Sequence, residues 1–194
     1  MSTSLNLLRS LRKLVLLGLI PLFCLAAHAA PPSTSNQKQG VTMSTNPRVK
    51  MTTNQGDIII SLDAAKAPKT VANFLAYVND GFFDGTIFHR VIDGFMAQTG
   101  CPHGTGTGGS NYPNLKQEFN PEPHVRGTCS MARSSNPDSA NSQFFICFDD
   151  ARFLDRQYTV WGEVVEGMEN VDKIKRGEPV RDPDSIVKAS VVSL

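Results

Sequence analysis

The stretch Phe88-His89-Arg90-Val91-Ile92-Asp93-Gly94-Phe95-Met96-Ala97-Gln98 holds the side chains best placed to do chemistry. Arg90 puts a permanently charged guanidinium with fixed donors into a strand with hydrophobic neighbours. Phe95, Met96 and Gln98 follow a glycine turn. A second stretch is Ser130-Met131-Ala132, followed by Ser142-Gln143-Phe144-Phe145-Ile146, where alternation puts Gln143 and Phe145 on one face of a strand. On residue types alone, an ordinary barrel core with one snorkelling arginine accounts for this pattern.

Other chemistry-bearing groups lead less far. Gly104-Thr105-Gly106-Thr107-Gly108-Gly109 contains a G-x-G-x-x-G spacing, but Ser110-Asn111-Tyr112-Pro113 follows where a dinucleotide site needs a helix start. A bare loop offering backbone groups beside a groove is the better reading. His89, His103 and His124 are candidate bases or ligands, yet Cys101-x-His103 has no second pair at zinc spacing, so no metal is expected. No G-x-S-x-G elbow accompanies a Ser-His-Asp set. His89 lies in the apolar run Ile87–Ile92 and reads as structural.

These residues need a scaffold. Short strands are expected at Val49–Thr53, Asp57–Leu62, Thr86–Ile92, Phe95–Thr99, Gly127–Ala132, Gln143–Phe148, Thr159–Val165 and Ile186–Val192. Asn54-Gln55-Gly56 supplies a hairpin turn between the first two. A helix is predicted over Pro68–Asn79, with proline in its first turn, Val71, Phe74, Leu75 and Val78 on one face, and Gly81 beyond its end. A second is predicted over Met168–Arg176, with Glu169 early and Lys173, Lys175 and Arg176 late, to match the helix dipole. Many strands with two separated helices point to a mainly β fold: a closed eight-stranded antiparallel β-barrel capped by two α-helices.

The chain of 194 residues is 40% hydrophobic, enough for one real core. Arg9, Arg12 and Lys13 precede the apolar run Leu14–Leu25, and Ala27-His28-Ala29 offers an A-x-A site. This pattern predicts a secretory signal peptide over residues 1–29, cleaved after Ala29. The run is 12 residues, short of the roughly 20 that span a bilayer, so no stable membrane insertion is expected after cleavage. Residues 30–47 read as a flexible polar tether and 48–194 as the single domain. Export is therefore expected: to the periplasm of a Gram-negative source, otherwise to the outside.

The formal charge is +1; without the three basic residues of the signal, 16 basic residues face 18 acidic ones. That near-neutral balance gives no footprint for nucleic acid, and a small barrel without an apolar patch points to a monomer. Cys101, Cys129 and Cys147 remain after cleavage, an odd number that reads as buried free thiols, with one bridge as the alternative.

Phe88–Gly100, read FHRVIDGFMAQTG, closely resembles the central signature of the cyclophilin family of peptidyl-prolyl cis-trans isomerases. GTGTGG, SMA followed by NSQFFI, and FLD followed by YTVWGEV resemble that family's later blocks in the same order. The resemblance spans about Arg48–Leu194 and implies the cyclophilin fold, rotation about X–Pro bonds as the reaction, proline-containing unfolded or extended polypeptides as partners, and no cofactor. It implies that Arg90 is the catalytic arginine and that Gln98 helps hold Arg90 and the substrate. Phe95, Met96, Phe145 and Leu154 match the apolar proline pocket. Ala132 and Arg133 match the strand that binds the extended peptide, with Arg133 standing where the family commonly has Asn. Gln143 matches a polar groove residue. Phe153 stands where many eukaryotic members have a pocket-wall Trp whose N–H helps bind cyclosporin, and Tyr158 stands where they have His; both are expected at the pocket wall. The resemblance also implies assistance to the folding of exported proteins. A peptide-binding chaperone without useful catalysis is the other reading, and a structural protein a third with only the tether in its favour.

Overall fold

The computed structural model describes residues 46–192, so the signal and most of the tether lie outside the described residues. The chain opens with a hairpin of β1 (Arg48–Thr53) and β2 (Gly56–Leu62). Val49 pairs with Ile60 and Met51 with Ile58, and the strict alternation buries all four completely. Asn54 and Gln55 form the turn, and both send side-chain N–H groups to the buried carboxylate of Asp184, at 2.6 and 2.9 Å.

Helix α1 covers Pro68–Asn79, as its periodicity predicts, and buries Val71, Phe74, Tyr77 and Val78. Its own N-cap residue supplies no side-chain bond. The distant carboxylate of Glu118 does so instead, accepting from the amides of Lys69 (3.0 Å) and Thr70 (2.8 Å) and from the Thr70 hydroxyl (2.8 Å). A negative charge at a helix N-terminus satisfies free N–H groups and complements the dipole.

The remaining strands are β3 (Arg90–Ile92), β4 (Met96–Thr99), β5 (Thr128–Met131), β6 (Phe144–Cys147), β7 (Val160–Glu166) and β8 (Ile186–Val192). Helix α2 covers only Met168–Val171. The sheet order is β3-β4-β6-β5-β7-β2-β1-β8, and every ladder is antiparallel. The core packs Phe74 against Trp161 (ring centroids 4.2 Å apart), with Phe144 edge-on to both and Phe83 tilted against Phe74.

Three expectations need correction. The barrel is not closed by a ladder: β3 and β8 end the sheet, and the seam between them is crossed by isolated bridges, Ile87 to Ser185 and Val91 to Gly177. The strand expected from Thr86 begins only at Arg90, because Thr86 and Phe88 bond across the seam to Ile186 and Asp184. The second helix stops five residues early: Lys173 and Ile174 tighten to bonds three residues back, and the Lys175 amide leaves the helix for the Asp184 carboxylate (2.8 Å).

Cys101, Cys129 and Cys147 are buried free thiols. Burial pushes Cys129 well up and Cys147 up to about 12. Burial also raises Cys101, but backbone hydrogen bonds from residues 103–108 outweigh it and bring that thiol below its ordinary value. Cys24 lies outside the described residues.

Candidate active site

The register across β3, β4, β6 and β5 sets one row of residues: Arg90 opposite Gln98, Gln98 opposite Phe145, Phe145 opposite Ser130. Their neighbours Val91, Ala97, Phe144 and Ile146 belong to the main core. Strand alternation therefore turns the row to the other side of the sheet. There Met96, Phe145 and Cys147 form a second, smaller apolar cluster, with Phe95, Leu154 and Tyr158 packed against it.

A pocket of about 120 Å³ opens on this cluster. It is lined by Arg90, Phe95, Met96, Gln98, Ala132, Arg133, Phe145, Leu154 and Tyr158. Ligand sites for drug-sized molecules run to roughly 300–1,000 Å³, so this one suits a single small ring. Phe95 reaches it from the turn at Gly94, Met96 and Gln98 from β4, and Leu154 from a 3-10 turn at Arg152–Leu154. That turn points Leu154 in and Phe153 out. Phe153 is 66% exposed, does not line the pocket, and lies with its ring 5.4 Å from Phe95 on the rim. The expectation of Phe153 as a pocket wall is thus corrected.

The polar side of the pocket is a chain of hydrogen bonds. Arg90 donates from Nε to Glu178 (2.5 Å) and from Nη1 to Gln98 Oε1 (3.4 Å). Gln98 Nε2 donates to Gln143 Oε1 (2.9 Å), and Gln143 Nε2 donates to the carbonyls of Gly106 and Gly108 (2.9 and 2.7 Å). Gln143 lies beside the small pocket, in an adjoining groove of about 470 Å³ that shares Gln98, Ala132 and Arg133 with it. Arg133 is held over the Tyr158 ring at 4.4 Å, with Nε and Nη2 donating to the Gln157 carbonyl (3.1 and 2.8 Å). The Ala132 amide is taken by the Gln143 carbonyl at 3.0 Å. Among the described residues, no three His, Cys, Asp or Glu side chains converge as metal ligands.

An edge guanidinium beside a ring-sized hollow is suited to hold a proline and donate to its amide. Residues 48–192 match the family profile described as cyclophilin type peptidyl-prolyl cis-trans isomerase/CLD. The chain belongs to the cyclophilin family of peptidyl-prolyl cis-trans isomerases. It is 53% identical over 152 residues to a probable peptidyl-prolyl cis-trans isomerase of Brucella suis, covering 70% of this chain and 78% of that one. A peptidyl-prolyl cis-trans isomerase of Helicobacter pylori is 45% identical over 142 residues, covering 71% and 84%. Among solved structures, a Cryptosporidium parvum cyclophilin-type isomerase, crystallised in the presence of the dipeptide Ala-Pro, superposes with a TM-score of 0.71 at 32% identity, covering 76% of this chain and 99% of that one. Cyclophilin AquaCyp293 from Hirschia baltica gives 0.71 at 30% identity, covering 76% and 74%.

Two histidines back the site of this cyclophilin. The His124 ring stacks under Phe145 with centroids 6.1 Å apart; its Nδ1 donates to the Asp155 carboxylate (2.9 Å) and its Nε2 meets Ser130 Oγ (3.0 Å). The order Ser130-His124-Asp155 copies a hydrolytic triad, but His124 and Ser130 are fully buried and the hydroxyl reaches no substrate. Burial lowers the His124 pKa and the Asp155 carboxylate only partly opposes it. His89 is buried with neither ring nitrogen bonded, against Gly106 of the glycine-rich loop; burial lowers its pKa too. The residue that sequence reasoning missed is Glu178: Gly177-Glu178-Pro179 carries no motif, and only the fold brings it to Arg90.

Proposed function

We propose that Arg90 accelerates the isomerase reaction of this cyclophilin by stabilising the twisted X–Pro amide, and that its clients are exported proteins during folding. The barrier to rotation is about 18–20 kcal/mol because the planar amide is conjugated. Twisting ends that conjugation, and the proline nitrogen becomes pyramidal and gains a lone pair. A donor aimed at that nitrogen binds weakly in the ground state and strongly at the transition state, which is the condition for rate acceleration. The observation that carries this reading is the Arg90 guanidinium at the wall of a pocket of about 120 Å³ with Phe95, Met96, Phe145 and Leu154 on its apolar side, bonded to Gln98 and Glu178.

The proline ring sits against Phe95, Met96, Phe145 and Leu154 in this reading, while the preceding carbonyl swings past Gln98 and Ala132. Proline-containing polypeptides are the substrate class, supported by the Ala-Pro dipeptide used with the Cryptosporidium relative. The client assignment rests on the leader: Arg9, Arg12 and Lys13, the run Leu14–Leu25 and the small residues at Ala27–Ala29.

The test follows cis-to-trans conversion of an Ala-Xaa-Pro-Phe peptide with purified Ala30–Leu194 and its Arg90→Ala variant. One preorganised donor contributes roughly 10²–10³ in rate, so turnover is expected to fall at least about 10²-fold with the fold intact. An unchanged rate removes Arg90 from the chemistry. A peptide still bound by two equally inactive proteins makes the chain a binding module on a cyclophilin frame.

A further inference from the structure

We propose that Glu178 is a positioning residue for the isomerase reaction, holding the Arg90 guanidinium in its working orientation from outside the pocket. The inference rests on Arg90 being the group that acts on the amide. Its own observation is a contact that the ladder of the sheet does not supply. Arg90 lies on the terminal strand β3, whose single ladder partner is β4. On its open side, Val91 and Gly177 exchange two backbone hydrogen bonds of 2.8 Å, and the Val180 amide bonds the His89 carbonyl at 3.2 Å. Those bonds lay residue 178 alongside residue 90. The segment also turns tightly on itself: a Cβ on Gly177, whose φ is +155°, would come within 2.8 Å of the Pro179 carbonyl oxygen and the Val180 Cα. Backbone bonds on either side of Glu178 thus fix its place beside Arg90.

The geometry of the grip is specific. Glu178 takes Nε, the inner edge of the guanidinium, and so fixes the plane of the group about its last torsion. Gln98 approaches Nη1 from the opposite strand at 3.4 Å, too long to fix the orientation alone. Held at Nε, the guanidinium presents its outer nitrogens to the pocket that Arg90 lines. Glu178 itself does not line that pocket and is 58% exposed, so it touches no bound proline. An untethered arginine side chain samples several rotamers, and a catalytic group away from its productive orientation contributes little. Losing the grip should therefore lower kcat and leave KM unchanged. The pair is half-exposed, which limits the effect to about fivefold.

The experiment is a double-mutant cycle on the full chain: wild type, Arg90→Ala, Glu178→Ala, the double variant, and Glu178→Gln, each with kcat and KM for the same proline peptide and a urea midpoint. The expected result is a fall of about fivefold in kcat for Glu178→Ala, an unchanged KM and urea midpoint, no further loss when Glu178→Ala is added to Arg90→Ala, and recovery of most of kcat by Glu178→Gln, whose amide oxygen still accepts from Nε. Full activity in Arg90→Ala overturns the catalytic reading itself, and the inference with it. A strong loss in Arg90→Ala with full or raised activity in Glu178→Ala overturns the inference alone. So does a Glu178→Ala loss that appears undiminished on the Arg90→Ala background, or one expressed in KM or in the urea midpoint.

Discussion

Acidification should weaken this fold through His89 and His124, well before its carboxylates protonate. Both imidazoles have pKa values lowered by burial. The folded state therefore takes up protons less readily than the unfolded chain, which does so below about pH 6.5. More protons on the unfolded state means that stability rises with pH in that window. The contribution is fully present above the unfolded pKa and is lost as pH falls below it. Between pH 7 and 5, each histidine that stays neutral in the fold costs at most roughly 2 kcal/mol. His124 contributes less than that ceiling, since Asp155 at 2.9 Å offers its protonated form a partner. At His89 burial disfavours the charge, the Ile87 backbone partly opposes that, and the neighbouring Arg90 charge adds to it. The expected result is a loss of stability from pH 7 to pH 5 that stays within this ceiling for each histidine. The carboxylates of Asp57, Asp155, Asp172 and Asp184 are held below their ordinary value of 3.8 and act only at lower pH. Urea unfolding at constant ionic strength, followed by the fluorescence of the single tryptophan Trp161, reads the change directly. Equal stability at pH 7 and 5 would refute the neutral, buried assignment. So would an identical loss in a variant carrying His89→Gln and His124→Gln. Because one ring backs the glycine-rich loop and the other supports Phe145, isomerase activity should fall along with stability.

Phe145→Ala should empty the floor of the pocket and raise KM for proline peptides; Phe145 is 5% exposed, so a stability cost of about 3–5 kcal/mol is expected in the same urea assay. Glu118→Ala should uncap α1 from a distance, removing three hydrogen bonds, and lower stability by about 1–2 kcal/mol while KM stays constant. Gly100→Ala should cost at least about 1–3 kcal/mol, because the residue sits at φ +81° and a Cβ there would lie 2.3 Å from the Ser142 carbonyl oxygen; a urea midpoint equal to wild type would contradict that geometry.

What was legible in the sequence was the local physics. The hairpin of β1 and β2 announces itself by alternation and a glycine turn, and α1 by its apolar spacing and first-turn proline. Arg90, Phe95, Met96 and Gln98 come together because they lie on the two strands and the turn of one hairpin, close in the chain. What was not legible depends on partners far away. The end of α2 is decided by Asp184, which draws the Lys175 amide out of the helix. The late start of β3 is decided by the seam, where Thr86 and Phe88 pair with the segment ahead of β8. Phe153 turns outward because three residues of a 3-10 turn cannot all face one pocket. Glu178 carries no pattern at all and meets Arg90 across 88 positions.

The seam also decides how a peptide can attach to this sheet. Unfolded polypeptides add readily to an exposed sheet edge, where a whole row of backbone groups captures them. Here the outward amide and carbonyl of Val91 are taken by Gly177, and on β8 the amides of Ile186 and Ala189 are taken by Thr86 and the Asp84 carboxylate. A client therefore meets a shallow pocket and a few side chains in place of a zipper of main-chain bonds. Strand addition at these positions is blocked, so a bound proline segment is gripped by side chains and not by a new ladder.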